Sequence, residues 1–358
     1  MQRVREVSST PSRMDRELWT AMADQGWLAV ERPAEEGGLG LGMVEVVVLC
    51  EQLGAHLAPV PFVGSVLCAQ ALGSAAAASG AGTADADLGG AALSEWSRRL
   101  SAGDAVGAIA WSSNPSAVTA SETSSGGWQL NGRADPVVYG PAADVVLIVA
   151  ATGSGPAVFA VANGGPSPGA GRPEPEPAMD VTRSLAWMDF SDRPALFLGA
   201  TDAAETLLDR AATALSAEML GAAARVVDFT VDYAKDRVQF GRPIGSFQAV
   251  KHRCADMLVD TEGMRSSAYF AGWAVGAGDP EASSAASVAK VWCSDASARV
   301  MASALQVHGG IGFTWEHDMH LYLKRSQLDQ VTFGGAVYHR ERLARILRPR
   351  AEAGLPVL

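Results

Sequence analysis

The chain predicts an α+β fold in three consecutive parts: an N-terminal helical domain over residues 1–104, a central β-domain over 105–200 and a C-terminal four-helix bundle over 201–358. Three observations carry this. Apolar residues recur at helical spacing near the start and again from residue 202 onward. Between them, short β-rich runs are separated by Gly, Pro and Asn clusters. A chain of 358 residues also exceeds a typical single core and points to roughly two or three domains.

From about residue 14 to 74 the pattern is helical. RELWTAMADQGW places Leu18, Met22 and Trp27 among polar residues, and Gly26 breaks the pattern. Pro33–Gly42 is a loop. MVEVVVLCEQLGAHL returns to an apolar helix, which Pro59 and Pro61 end. A small-residue helix or loop follows, through a low-complexity run from Gly73 to Gly90. The β-domain is read from AVGAIAW, GWQLNG, DVVLIVA, AVFAVA, SLAWMDF and ALFLG, with Gly164–Asp180 as a surface loop. In the bundle, Leu208, Ala211, Leu215, Met219, Ala222 and Val226 mark one long helix over Asp202–Lys235. Others cover Phe247–Gly276, Pro280–Val307 and about Trp315–Arg325, and a last one ends near Leu347, before Pro349.

A formal net charge of -11 repels phosphate backbones and argues against nucleic acid as a partner. No uninterrupted apolar run of about 18 residues marks a membrane span, and the polar N-terminus lacks the core of a signal peptide. The expectation is a cytoplasmic protein. Cys50, Cys68, Cys254 and Cys293 are scattered and read as buried thiols in a reducing compartment. His317 and His320 stand three apart without companions to complete a metal site, so no metal is expected.

Two segments carry chemistry. In YAKDRVQFGRPIGSFQAVKHRCADM, Arg237 offers a planar, permanently charged fork suited to a pyrophosphate. Gln239 can donate hydrogen bonds and Phe240 can lie against a flat ring. In ALQVHGGIGFTWEHDMHLYLKR, Gln306 ends a helix, and Gly309, Gly310 and Gly312 let backbone approach a ligand closely. Taken singly, each segment is better read as a surface arginine or a Gly-rich interhelical turn, and only the two together, at this separation, reverse that.

Together they resemble the two signatures of the acyl-CoA dehydrogenase family. DQGWLAVERPAEEGGLGLG and GGWQLNGRADPVVYGPAADVVLIVAA are similar to further family segments, so the likeness spans most of the chain. The resemblance implies FAD as cofactor, with Arg237, Gln239, Phe240, Gln248, Gln306, Gly309 and Gly310 as its contacts. It also implies a reaction in which a glutamate takes the α-proton of an acyl-CoA while the β-hydride passes to the flavin.

The chain departs from the family where that reaction occurs. Phe333-Gly334-Gly335-Ala336 stands in place of the family's Tyr-Glu-Gly-Thr, so Gly334 replaces the base and Ala336 a flavin contact. A glycine accepts no proton. The alternative base position on the earlier long helix falls near Ala211, with Ala212 in place of the neighbouring arginine and Arg210 displaced. Glu218, two turns on, shares the apolar stripe. It reads either as a displaced base with a raised pKa or as the partner of a buried arginine. AIAWSSNPSAV keeps Ser112 and Ser113 but not the family's acidic residue, and Val137–Gly140 replaces Trp-Ile-Thr/Ser.

In the family, the residues matching Arg237, Phe240, Gln306 and Gly309 reach the ADP half of a neighbouring subunit's FAD. These persist, whereas those serving the chain's own flavin are degraded. The resemblance therefore implies a non-catalytic subunit of an α2β2 heterotetramer, completing the flavin site of a catalytic acyl-CoA dehydrogenase partner. Such pairs act on steroid side chains and other bulky CoA thioesters and pass electrons to an electron-transfer flavoprotein or similar acceptor. Two other readings stand beside it: an active homomeric flavoenzyme using Glu218 or different chemistry, and a flavin-free scaffold.

Overall fold

In the computed structural model the described residues before Ala102 form helices joined by turns, with two helices beyond those expected. Helix α1 covers Gln2–Ser8, α2 Arg16–Asp24, α3 Met43–Ala55, α4 Phe62–Ser79 and α5 Leu93–Ser101. The structure describes residues 1–79, 93–124, 126–163 and 171–356. Residues 80–90 of the low-complexity run and 164–170 of the Gly164–Asp180 loop lie outside them. Helix α2 starts where the Asp15 carboxylate accepts from the Leu18 amide at 3.2 Å and stops before Gly26, φ 76°. Helices α1 and α5 have no counterpart in the expected set. Helix α5 buries Trp96 and Leu100 on one face, with Leu93, Trp96 and Leu100 at helical spacing that the sequence reading passed over.

The chain divides into two units. One comprises Arg5–Gly42 and Pro59–Ala211, the other Met1–Val4, Met43–Ala58 and Ala212–Leu358. In the first, strands β1 Gly107–Ala110, β2 Val118–Glu122, β3 Trp128–Val138, β4 Val145–Thr152, β5 Gly155–Ala162 and β6 Leu185–Gly199 follow the order β1-β4-β2-β3-β6-β5. Pairing of β5 back onto β4 closes the sheet around buried Leu130, Ile148 and Phe159. Helix α4 packs its small residues onto β1, where Gly64 faces the Gly107 carbonyl and the Cys68 thiol donates to Ala108 at 3.3 Å.

The sheet corrects two expectations. SLAWMDF and ALFLG form one strand, β6, not two. Ser191-Asp192-Arg193-Pro194 looks like a break, yet Asp192 (φ 48°) is absorbed as a bulge opposite Asn131. Its amide donates to Asn131 Oδ1 at 2.9 Å, and Asn131 Nδ2 donates back to its carboxylate at 3.0 Å. Strand β2 goes unseen in the sequence because its alternation, Val118 and Ala120 inward, rests on small and polar residues.

The second unit joins α3 to the C-terminal helices: α6 Thr201–Asp236, of which the residues from Ala212 belong here, α7 Gln248–Ala277, α8 Ala282–His308, α9 Met319–Val331 and α10 Ala336–Glu352. Three boundaries differ from expectation, one being the end of α9 at Val331, six residues beyond Arg325. Helix α9 starts four residues after Trp315, because the His317 ring accepts from the Met319 amide at 3.1 Å and holds the preceding residues in a turn. Helix α10 runs through Pro349 to Glu352. A proline that close to the helix end removes one hydrogen bond, and the Ala353 amide still reaches the Pro349 carbonyl at 3.1 Å. Among the described residues no helix is long and apolar enough to cross a membrane.

At the crossing of α3 and α6, two copies of one tetrapeptide pattern meet: Glu51-Gln52-Leu53-Gly54 and Glu218-Met219-Leu220-Gly221. A Cβ on Gly54 would overlap the Glu218 carbonyl, and one on Gly221 the Glu51 carbonyl. Each glycine therefore admits the other helix's backbone. The Glu51 carboxylate accepts from Arg265 and from the Tyr269 hydroxyl (2.7 Å), both on α7. Glu218 accepts from Arg325 on α9 at 2.9 Å, with the two side chains 2% and 0% exposed. Gly221→Ala is expected to lower the unfolding free energy by about 1–3 kcal/mol through overpacking. Gly153→Ala, where a Cβ meets nothing within 4 Å, should stay within about 0.5 kcal/mol of wild type. Urea denaturation of the two variants checks this.

Candidate functional site

Helix α6 ends in a two-residue hairpin formed by β7 Val238–Gln239 and β8 Arg242–Pro243. Phe240 and Gly241 lie at its tip with φ 53° and 79°, the left-handed pair that a tight hairpin turn requires. Phe240 is consequently held out in solvent at 93% exposure. The hairpin is tied at its base: the Arg237 amide donates to Tyr233 and the Ile244 amide to Arg237, each at 2.8 Å. Arg242 lies 4.1 Å over the Phe247 ring. Arg237, Gln239 and Gln248 are exposed, and Gln239 Nε2 donates to the Val238 carbonyl at 2.8 Å.

The second motif closes α8. Gln306 is exposed, and Gly309 (φ 63°, ψ -144°) turns the chain into a short 3-10 segment, Gly309–Phe313. A Cβ on Gly309 or Gly310 would meet nothing within 4 Å, so the backbone there is open to a close-fitting ligand.

One contact brings the two motifs together, and sequence reasoning missed it. The His308 ring stacks on Tyr233 with centroids 4.5 Å apart and planes within 20°. His317 adds a ring at 4.6 Å and Phe229 one at 5.6 Å. Burial lowers the His308 pKa from its ordinary value, which favours the neutral ring that stacks well. Tyr233 precedes Arg237 by one helical turn and His308 immediately precedes Gly309. The clasp therefore sets the hairpin beside the Gly-rich loop. A cationic fork, amide donors, a presented ring and open backbone are the donor set for the adenosine-pyrophosphate half of a dinucleotide, and FAD fits this set.

The position of the expected base is closed. Phe333 and Gly334 both take positive φ, 56° and 89°, between α9 and α10. A Cβ on Gly334 would lie 2.5 Å from Tyr338 Cδ1 and 3.2 Å from His339 Nε2. His339 Nε2 donates to the Phe333 carbonyl at 2.9 Å. Beneath the turn, fully buried Lys290 donates to the carbonyls of Asp329 (2.8 Å) and Gln330 (3.0 Å). Burial pushes Lys290 down to about 7 and His339 down to about 4.

Glu218 lies in the bundle interior on Arg325. Its observed partner there is Arg325, at 2.9 Å. Arg210 is paired with Glu31 in the first unit. There too, Ser112 Oγ accepts from the Asn114 amide at 3.1 Å, and Tyr139 (φ 56°) is buried. Of the cysteines, Cys50, Cys68 and Cys293 are buried, but Cys254 is half-exposed because the first turns of α7 stand clear of the bundle.

Residues 199–347 match the family model of the acyl-CoA dehydrogenase C-terminal domain and residues 1–81 that of the N-terminal domain. The acyl-CoA dehydrogenase FadE27 of Mycobacterium tuberculosis is 33% identical over 96% of this chain and 91% of its own length. The chain belongs to the acyl-CoA dehydrogenase family. Among solved acyl-CoA dehydrogenases, the Tcur3481-Tcur3483 steroid ACAD G363A variant superposes with TM-score 0.85 at 30% identity, over 98% of this chain and 93% of that one. The ChsE4-ChsE5 complex from Mycobacterium tuberculosis gives 0.84 at 32%, over 96% and 91%.

Two outcomes follow from the closed turn. Gly334→Glu should not restore acyl-CoA oxidation to the isolated chain and should lower its stability by about 1–3 kcal/mol, from strained backbone and the Tyr338 clash. Turnover assays and thermal melting test both effects. Lys290 binds a proton more weakly folded than unfolded, so its contribution to stability rises as pH climbs from about 7 toward its ordinary 10.5. The stability of wild type relative to Lys290→Met should rise across that window by up to about 1.4 kcal/mol per pH unit. Urea titrations at several pH values measure it.

Proposed function

We propose that this chain is the subunit without a general base in a heteromeric, FAD-dependent acyl-CoA dehydrogenase, and that it completes the flavin site of a catalytic partner in an α2β2 assembly. One observation carries this. The hairpin and Gly-rich loop keep an intact, solvent-facing donor set, while the base position is a left-handed glycine whose side-chain space Tyr338 fills.

Arg237 would hold the pyrophosphate, Gln239, Gln248 and Gln306 would donate to its polar edges, Phe240 would cover a flat face, and Gly309-Gly310 would bring amides close. Bound FAD supplies the acceptor for the substrate's β-hydride. The α-proton falls to the partner's carboxylate, since neither Gly334 nor the enclosed Glu218 can take it. A bulky CoA thioester of the steroid side-chain class fits best, because likeness to the steroid ACAD and to ChsE4-ChsE5 runs through nearly the whole chain. An electron-transfer flavoprotein or similar acceptor would reoxidise the complex in the cytoplasm.

The isolated chain should oxidise no acyl-CoA, and the purified complex should carry one FAD per heterodimer. Arg237→Ala should weaken flavin retention by about 10–150-fold, the equivalent of roughly 1.5–3 kcal/mol for a charged hydrogen bond. Flavin absorbance per protein mass, at limiting FAD, reads all but the first. Two flavins per heterodimer would show that the chain's own site is intact. Unchanged retention in the variant would remove Arg237 from the site.

A further inference from the structure

In the first unit, helices α4 and α5 touch where the Ser97 hydroxyl donates to the Ala69 carbonyl at 2.9 Å. Beside that contact a cavity of about 260 Å³ separates them from the turn of residues 28–36. Its lining includes no residue of the hairpin, the Gly-rich loop, α6, the β-sheet or the Phe333–Ala336 turn. Helix α4 leaves the space open because Ala69, Gly73 and Ala77, at helical spacing along the wall, are all small. The rim is exposed at Ser74 and Glu36, and the floor is buried at Leu28, Val66, Ser97 and Ser101.

The wall carries a preset cation. The Arg32 side chain is 15% exposed. Its Nε donates to the Glu36 carbonyl at 2.9 Å, Nη1 stands 3.5 Å from Ser97 Oγ, and Nη2 reaches the Glu36 carboxylate at 3.1 Å. The turn beneath it is tied by its own backbone: the Leu39 amide donates to Ala29, Gly40 to Arg32 and Leu41 to Val30. Backbone therefore fixes the guanidinium before any ligand arrives, which lowers the cost of binding. Its carboxylate partner is less fixed. Glu36 is 54% exposed, and such an i,i+4 surface pair contributes little and is displaced at little cost.

The rest of the lining selects the ligand. Glu31 shares the wall, but Arg210 already neutralises it. Ser101 Oγ has no hydrogen-bond partner among the described residues. A planar carboxylate matches the arginine fork with a hydroxyl beside it, and Glu36 shows that pairing in place. A dianion is less suited, because Arg32 is the cation among the lining residues and two carboxylates stand nearby. Leu28, Val66 and Ala69 would cover an apolar body. Small-molecule sites run from about 300 Å³ upward, so this one takes a compact molecule.

We propose that this cavity is a binding site for a compact apolar monocarboxylic acid, held by the Arg32 fork in the place that the Glu36 carboxylate now occupies. It shares no residue with the proposed flavin contacts and stands independently of the heteromeric reading.

The test is a saturation-transfer NMR titration of the full-length chain with cyclohexanecarboxylate, cyclohexanecarboxamide as its neutral match, and inorganic phosphate as competitor. The carboxylate should bind saturably with Kd about 1 mM or tighter, and the amide at least about tenfold more weakly. Phosphate should compete poorly. Arg32→Gln should weaken the carboxylate at least about tenfold, and Glu36→Gln, which removes the internal competitor, should tighten it about threefold. Ala69→Leu, which fills the floor without touching the fork, should abolish binding. Circular dichroism shows that each variant is folded. If Arg32→Gln fails to fold, Glu36→Gln and Ala69→Leu decide. Equal binding of acid and amide, or strong competition by phosphate, overturns the ligand class. Binding that ignores Glu36→Gln and Ala69→Leu lies elsewhere and overturns the site. No saturable signal for the carboxylate up to about 10 mM overturns it too.

Discussion

The bundle depends on the crossing of α3 and α6. Two glycines bring the backbones into contact, and the paired glutamates beside them must then be neutralised inside the protein. Glu51 reaches α7 through Arg265 and Tyr269, and Glu218 reaches α9 through Arg325. Removing one partner of a buried pair leaves a stranded charge worth about 3–5 kcal/mol. Close approach and charge pairing therefore constrain each other: the helices cannot slide without exposing or orphaning a carboxylate. One short pattern, used twice, thus fixes how α7 and α9 lie against the pair.

That constraint extends to the end of the bundle. Once α6 is seated, its last turns deliver Tyr233 to the place where α8 delivers His308. The stacked rings position two loops that are almost entirely exposed and have little packing of their own. Phe240 shows the division of labour. It is an apolar ring at 93% exposure in a conformation that suits few side chains, a costly arrangement unless a ligand or partner covers it.

What could be read beforehand follows from the range of each interaction. Long apolar stripes such as Leu208–Val226 declare a helix through periodicity alone, and Pro59 and Pro61 bracket α3 from inside the sequence. The motifs around Arg237 and Gln306 were legible because their chemistry is local. Long-range pairings hid the rest. Asp192 looks like a strand end until Asn131, 61 residues away, satisfies its backbone. Glu218 looks like a misplaced base until Arg325, 107 residues away, is seen beside it. Tyr233 and His308 carry no signal individually, since a ring stack between distant helix ends leaves no spacing to detect.

The loss at Gly334 is more than an absent functional group. In a turn with φ 89° any side chain is strained, and Tyr338 occupies the space a Cβ would take. His339 and Lys290 then hold the carbonyls around the turn from below, so the surrounding core has settled on the glycine conformation. A base deleted by drift alone would leave its pocket available for reversion. Here reversion would need Tyr338 to move and the turn to relax, against buried hydrogen bonds that favour its present shape. The exposed motifs show the opposite: no internal packing demands an exposed Arg237, Phe240 or open Gly309. The fold ties down the backbone of these loops but leaves the side chains of Arg237 and Phe240 exposed, whereas it packs around Gly334 itself. A surface kept for another chain, beside a closed site of its own, is consistent with both.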